Sequence, residues 1–290
     1  MTDYRIPDLA NKYTKHDMIQ RYADLPPFPD ARIRLLSAFL QYGSAAEHRE
    51  VQSLAVSLVQ LGLDTHDEVD IEAGERGMMQ MRQRQLRVLA GDYFSSRFYQ
   101  LLAGVGQIEM IQHLSGAICE ANRLKTDLYQ RMKRGQLLSE DYLELQSDIR
   151  GELLLSFSEL IEERLKPAWK ELVRSLSRLE VLVEERNKLD HSGSFYDSWG
   201  YWFVLEHGEP QDKRMLQEEA KRGAGVAALM IKKYGLASLL ADKLGESAAQ
   251  FGQFAVSLAP AKLAEEMALI GENLLRPAAG AAAGAAGEVR

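Results

Sequence analysis

The chain has 290 residues, 46% apolar and 27% charged, enough to bury a large core. Its 35 Lys+Arg against 42 Asp+Glu give a net charge of −7 with no concentrated basic face, which excludes a dedicated nucleic-acid binder. The single cysteine, Cys119, excludes an intramolecular disulfide framework, and no uncharged apolar run reaches the ~18–20 residues of a membrane span.

In chain order, about Pro7 to Tyr22 reads as a helical segment, closed by the break Pro26-Pro27-Phe28-Pro29. Beyond it, apolar residues recur at helical spacing: Val51, Leu54, Ala55, Leu58 and Leu61 on one face, then Ile108, Ile111, Leu114, Ile118, Ala121 and Leu128 on another. Residues 71–80, with Gly74 and Gly77, are expected to loop between two long helices. Gly135 suits a helix end and Ser139-Glu140-Asp141 a helix start, while Pro167 falls in the first turn of a helix running towards Leu189. The aromatic segment His191–Gly208 is expected to be a packed turn or short helix. No apolar/polar alternation bounded by hairpin turns occurs, so the chain reads as all-α. Four stretches follow: an N-terminal helical segment (1–25), a main helical domain (26–215), an Ala-rich helical extension expected as a helical pair (216–276), and an Ala/Gly tail (277–290) expected to be disordered, being too poor in side chains to offset its ordering entropy. Met1-Thr2-Asp3-Tyr4 lacks a signal-peptide pattern, and the longest near-apolar run, Ala224 to Ala241, is broken by Lys232-Lys233; a cytoplasmic protein is expected.

The chemistry concentrates at Asp64-Thr-His66-Asp67-Glu68-Val-Asp70. Asp64, Asp67 and Glu68 stand at i, i+3 and i+4 and so share a helix face, the arrangement that Mg²⁺-dependent diphosphate chemistry uses. A solvated acidic helix end is the plain alternative. His66 has no second His or Cys at ligand spacing. Cys119, beside Ile118, is expected to be a buried structural thiol. Gly104-Val-Gly106 lacks the dinucleotide fingerprint. Arg76, Arg82, Arg84 and Arg87, interleaved with methionines, read as a solvated face with some capacity for an anion.

Leu61-Gly-Leu-Asp-Thr-His-Asp-Glu-Val-Asp70 followed by Val88-Leu-Ala-Gly-Asp-Tyr-Phe-Ser-Ser-Arg-Phe-Tyr-Gln-Leu-Leu-Ala103 resembles the first half of a trans-prenyl diphosphate synthase. Together with Ile108-Glu-Met-Ile and Glu120-Ala-Asn-Arg-Leu-Lys125, it is most similar to heptaprenyl diphosphate synthase component 1, over about residues 10–210. The resemblance implies an isoprenoid-synthase-like helical bundle in a degenerate copy. The functional motif has consecutive carboxylates and another four residues after the first. Here Asp67 and Glu68 are followed by Ile71, and Asp70 stands one place early, about 100° around the helix. Glu75-Arg76 replaces the usual paired arginines. Glu159, Glu162 and Glu163 have helical spacing but not the context of a second motif, and no such motif is found in the C-terminal half.

The implied role is a non-catalytic subunit, with no catalytic residue and no metal of its own. A catalytic component 2 would hold Mg²⁺ and extend farnesyl diphosphate with isopentenyl diphosphate for the menaquinone side chain. Gly91, Asp92, Tyr93, Arg97, Phe98 and Tyr99 are the candidate contact with that partner, within helices spanning about Leu86–Leu102 and Ile108–Tyr129; the competing reading has these aromatics fill the chain's own core. Two other functions stay open at this point: a stand-alone prenyltransferase with an unconventional metal site at Asp64, Asp67 and Glu68, and a helical adaptor that has left the pathway.

Overall fold

A computed structural model describes residues 4–44, 46–69, 77–218 and 223–276. These residues form thirteen α-helices and no strand, as the hydrophobic periodicity predicts. In order they are α1 (Ile6–Thr14), α2 (Asp17–Tyr22), α3 (Asp30–Leu40), α4 (Arg49–Asp67), α5 (Met78–Gly104), α6 (Ile108–Arg134), α7 (Ser139–Leu155), α8 (Lys166–Asp190), α9 (Trp199–His207), α10 (Pro210–Gln217), α11 (Ala224–Lys233), α12 (Leu236–Val256) and α13 (Ala261–Leu275). The tail from 277 and most of the expected 71–80 loop lie outside the described residues.

The expected N-terminal helical segment consists of two helices. α1 ends at Thr14, and the His16 ring accepts the Met18 amide at 3.4 Å, so a local cap starts α2. Gly135 closes α6 in the left-handed conformation (φ 64°), which a residue without Cβ adopts at no steric cost. Pro167 is the second residue of α8. The aromatic segment is the expected packed turn and short helix: a 3-10 turn over Ser192–Asp197 leads into α9, and Phe195, Trp199 and Trp202 are buried. Residues 216–276 carry three helices, one more than expected, and α11 packs on that 3-10 turn.

Two compact units divide the chain. The first comprises Met1–Gln136 and Leu145–Ser177, the second Leu137–Glu144 and Arg178–Arg290. In the first unit α4 packs along α5, α3 and α1. The single apolar stripe expected on α4 is too narrow a description, because every residue from Gln52 to Leu63 is buried. Polar side chains of this helix are small or locally bonded: Ser57 and Thr65 donate to the Leu54 and Leu61 carbonyls at 2.8 and 2.6 Å. Gln52 donates to the Gln107 side chain at 3.2 Å. On α6 the buried face is Met110, Leu114, Ala117, Ala121 and Leu128, whereas Ile108 is 61% exposed.

In the second unit Ser139 donates both its amide (2.8 Å) and its hydroxyl (2.7 Å) to Glu206. Glu140 receives Arg178 and Lys243, and Asp212 receives Lys233 and Tyr234.

A few carboxyls in each unit are displaced, for the most part in opposite senses. Burial pushes Glu140 and Glu206 up, but their hydrogen-bond donors outweigh it and hold both below the ordinary carboxyl range. Hydrogen bonds from Lys233 and Tyr234 hold Asp212 down as well. These groups contribute stability above the ordinary range, and that contribution is lost as pH falls through it. In the first unit burial raises Asp64, Glu68, Asp148 and Glu152, so the folded state takes up protons first and gains stability as pH falls through their raised values. Exposed Glu120, held down by Arg123, is the exception there. As pH falls towards about 4, amide exchange corrected for its intrinsic rate should slow in α4, and as it falls on below about 4 it should accelerate in α9–α10. Parallel change in both units would rule this out.

Candidate functional site

The acidic end of α4 is assembled from three helices of the first unit. Asp64 is half-buried and accepts from Gln60 at 2.6 Å. Burial raises its pKa against the opposing pull of Arg32, Gln60, Lys125 and Arg150. One turn on, exposed Asp67 ion-pairs with Lys125 of α6 at 2.5 Å. Glu68 lies just past the helix; its carbonyl accepts from Arg87 at 3.2 Å, and burial raises its carboxyl, with Arg87 opposing. Asp70 and Glu75-Arg76 lie outside the described residues. The expected shared face therefore takes shape as Asp64 and Asp67 grouped around one ammonium.

That arrangement does not fit Mg²⁺. The ion demands near-octahedral oxygen ligation through carboxylates. Here Asp67 is engaged by a tethered cation and Asp64 by an amide and neighbouring guanidinium charge. Among the described residues no three His, Cys, Asp or Glu side chains converge as a metal-holding group.

A feature missed in the sequence sits on α8, in the second unit. Glu184-Glu185 are consecutive, and Lys188 stands four residues after the first, in the place of the third carboxylate. Lys188 pairs with Glu184 at 3.4 Å and with Glu185 at 2.8 Å. Glu185, 1% exposed, also accepts from the Tyr142 hydroxyl at 3.0 Å and the Trp199 amide at 2.6 Å. The signal was legible as spacing, once lysine is admitted at the third position. Glu159 and Glu163 pair with Lys166, and Glu162 with Arg164, as a solvated acidic turn would.

The α5 candidates divide between core and surface. Gly91 is buried under the His66 ring, which a Cβ at that position would meet at 2.7 Å. Phe98 is buried beside Phe94 in the chain's own core, whereas Asp92 and Tyr99 are exposed. Arg97 lies over the Tyr93 ring at 4.1 Å. His66 approaches Asp92 at 3.3 Å. Opposite the core face, α5 leaves Met78, Met81 and Leu89 exposed, at 86, 51 and 61%. Cys119 is exposed too, correcting the expected burial: it stands two residues, about 200°, from buried Ala117.

This helical bundle, in which Lys125 pairs with Asp67 and Lys188 with Glu184 and Glu185, belongs to the isoprenoid-synthase class by fold. Residues 16–201 match the family of heptaprenyl diphosphate synthase (HEPPP synthase) subunit 1, and the chain belongs to that family. It is 31% identical over 141 residues to heptaprenyl diphosphate synthase component 1 of Geobacillus stearothermophilus. That match spans 49% of this chain and 59% of the relative's length. In fold it is similar to geranylgeranyl pyrophosphate synthase of Lactobacillus brevis (TM-score 0.74, 11% identity, 94% of each chain). It is likewise similar to heptaprenyl diphosphate synthase of Staphylococcus aureus (TM-score 0.70, 12% identity, 93% of this chain and 95% of that one). No single helix among the described residues is long and apolar enough to cross a membrane.

Proposed function

We propose that this chain is the non-catalytic subunit of a two-component heptaprenyl diphosphate synthase. The observation that carries the reading is that lysines already engage these carboxylates: Lys125 on Asp67 and Lys188 on Glu184 and Glu185. Ionising an allylic diphosphate requires metal ions to neutralise the departing charge, so the Mg²⁺ and both intact carboxylate motifs belong to the catalytic component. That component extends farnesyl diphosphate with isopentenyl diphosphate, in the cytoplasm, for the menaquinone side chain. This chain contributes a surface. The exposed side of α5 (Met78, Met81, Leu89, Tyr99) and Ile108 and Tyr129 of α6 supply apolar area that the monomer leaves in water.

The test is an elongation assay with farnesyl and isopentenyl diphosphates and Mg²⁺, run on the purified chain, on a catalytic component with two intact Asp-rich motifs, and on their mixture. Turnover is expected in the mixture and absent from the lone chain. Turnover by the lone chain points to a stand-alone enzyme; a mixture no more active than the catalytic component points to an adaptor. Cys119 supplies an independent readout, since the exposed thiol on α6 should alkylate at least tenfold more slowly in the complex.

A further inference from the structure

An open groove of about 590 Å³ runs between the end of α4 and helices α5 and α6. Its apolar lining is the buried Leu63 and Phe98 and the more accessible Tyr99 and Ile118. Its polar lining carries Asp67, Lys125 and Asp92 with the neutral Ser95, Ser96 and Asn122, and His66. Because Lys125 is engaged by Asp67 at 2.5 Å, the rim's remaining charge is the Asp92 carboxylate, whose side chain is 66% exposed and lies 3.3 Å from His66. An apolar floor under a solvent-facing carboxylate disfavours a diphosphate and suits a long cationic side chain. The methylene stem covers the floor, and the guanidinium meets the carboxylate bidentately and stacks on an aromatic wall.

We infer that this groove seats an arginine of the catalytic component, with Asp92 as its counter-charge. The inference rests on the proposed two-component function and names the chemistry the partner must present there. The groove shares Tyr99 and α6 with the exposed apolar surface, so one docked helix can fill both.

The experiment titrates the full chain against the catalytic component, for wild type, Asp92→Asn and Asp92→Arg, at several salt concentrations. Asp92 is exposed, so all three should share one unfolding midpoint, which is checked first. Asp92→Asn is expected to weaken binding about tenfold and to flatten its salt dependence, and Asp92→Arg to weaken it further. Changing the partner's interface arginines singly to glutamate should identify one whose loss is rescued by Asp92→Arg. Wild-type binding with both variants within twofold of it overturns the inference and leaves the two-component reading standing. Unchanged affinity with reduced turnover overturns it in favour of an isoprenoid chain in the groove. Failure of the wild type to bind overturns both.

Discussion

Replacing Glu185 by alanine is expected to lower the unfolding free energy by about 3–5 kcal/mol, the scale for removing one partner of a buried ion pair. Glu185 is 1% exposed and accepts from three donors: the Lys188 ammonium, the Tyr142 hydroxyl and the Trp199 amide. Without it, the Lys188 ammonium, itself 21% exposed, loses its nearest anion, and the first amide of α9 loses its acceptor. Against a typical total of about 5–15 kcal/mol, that is a large share. Glu185→Gln keeps an oxygen for the Trp199 amide but no charge for Lys188, so its cost should fall between wild type and alanine. Urea unfolding of the three proteins gives the order. A loss below about 1 kcal/mol for alanine, the worth of one ordinary hydrogen bond, would show that the network does not hold unit two together.

The second large effect is at the crossing of α4 and α5. A methyl added at Gly62 meets the Ser95 amide nitrogen at 2.7 Å and the Gly91 carbonyl oxygen at 2.8 Å, both backbone atoms that cannot turn aside. A methyl at Gly91 meets the His66 ring, also at 2.7 Å, but a ring can rotate away. Overpacking costs about 1–3 kcal/mol, so Gly62→Ala should reach the top of that range or exceed it, and Gly91→Ala should stay near the bottom. His66→Ala should then suppress the Gly91→Ala defect and leave the Gly62→Ala defect intact, since only the first clash involves that ring. Thermal unfolding of the singles and doubles decides it; equal costs for the two glycines would contradict the geometry.

Helical class, the Gly135 stop, the Pro167 start and the aromatic turn were legible because each depends on a few neighbouring residues. Burial was less so. Periodicity marks a face, and α4, buried all round, carries serine, threonine and glutamine between its leucines in a pattern that looks amphipathic. Cys119 sits one residue from Ile118, yet a step of 100° per residue carries it to the outer side of α6. The site itself depends on long-range pairing. Asp67 and Lys125 are 58 residues apart, and nothing local announces that they meet. Glu184, Glu185 and Lys188, by contrast, lie within five residues, and a lysine where an acidic motif would have its third acid hides the grouping.

The bond between Lys125 and Asp67 also bears on folding away from any reaction. A divalent ion in this position would come from solution, and its contribution would rise and fall with the free concentration of that ion. An ammonium attached to the same polypeptide has no such dependence: it is delivered once, when α6 docks, and no chelator can withdraw it. The first unit therefore closes its acidic corner by chain assembly alone, whatever the ionic supply around it.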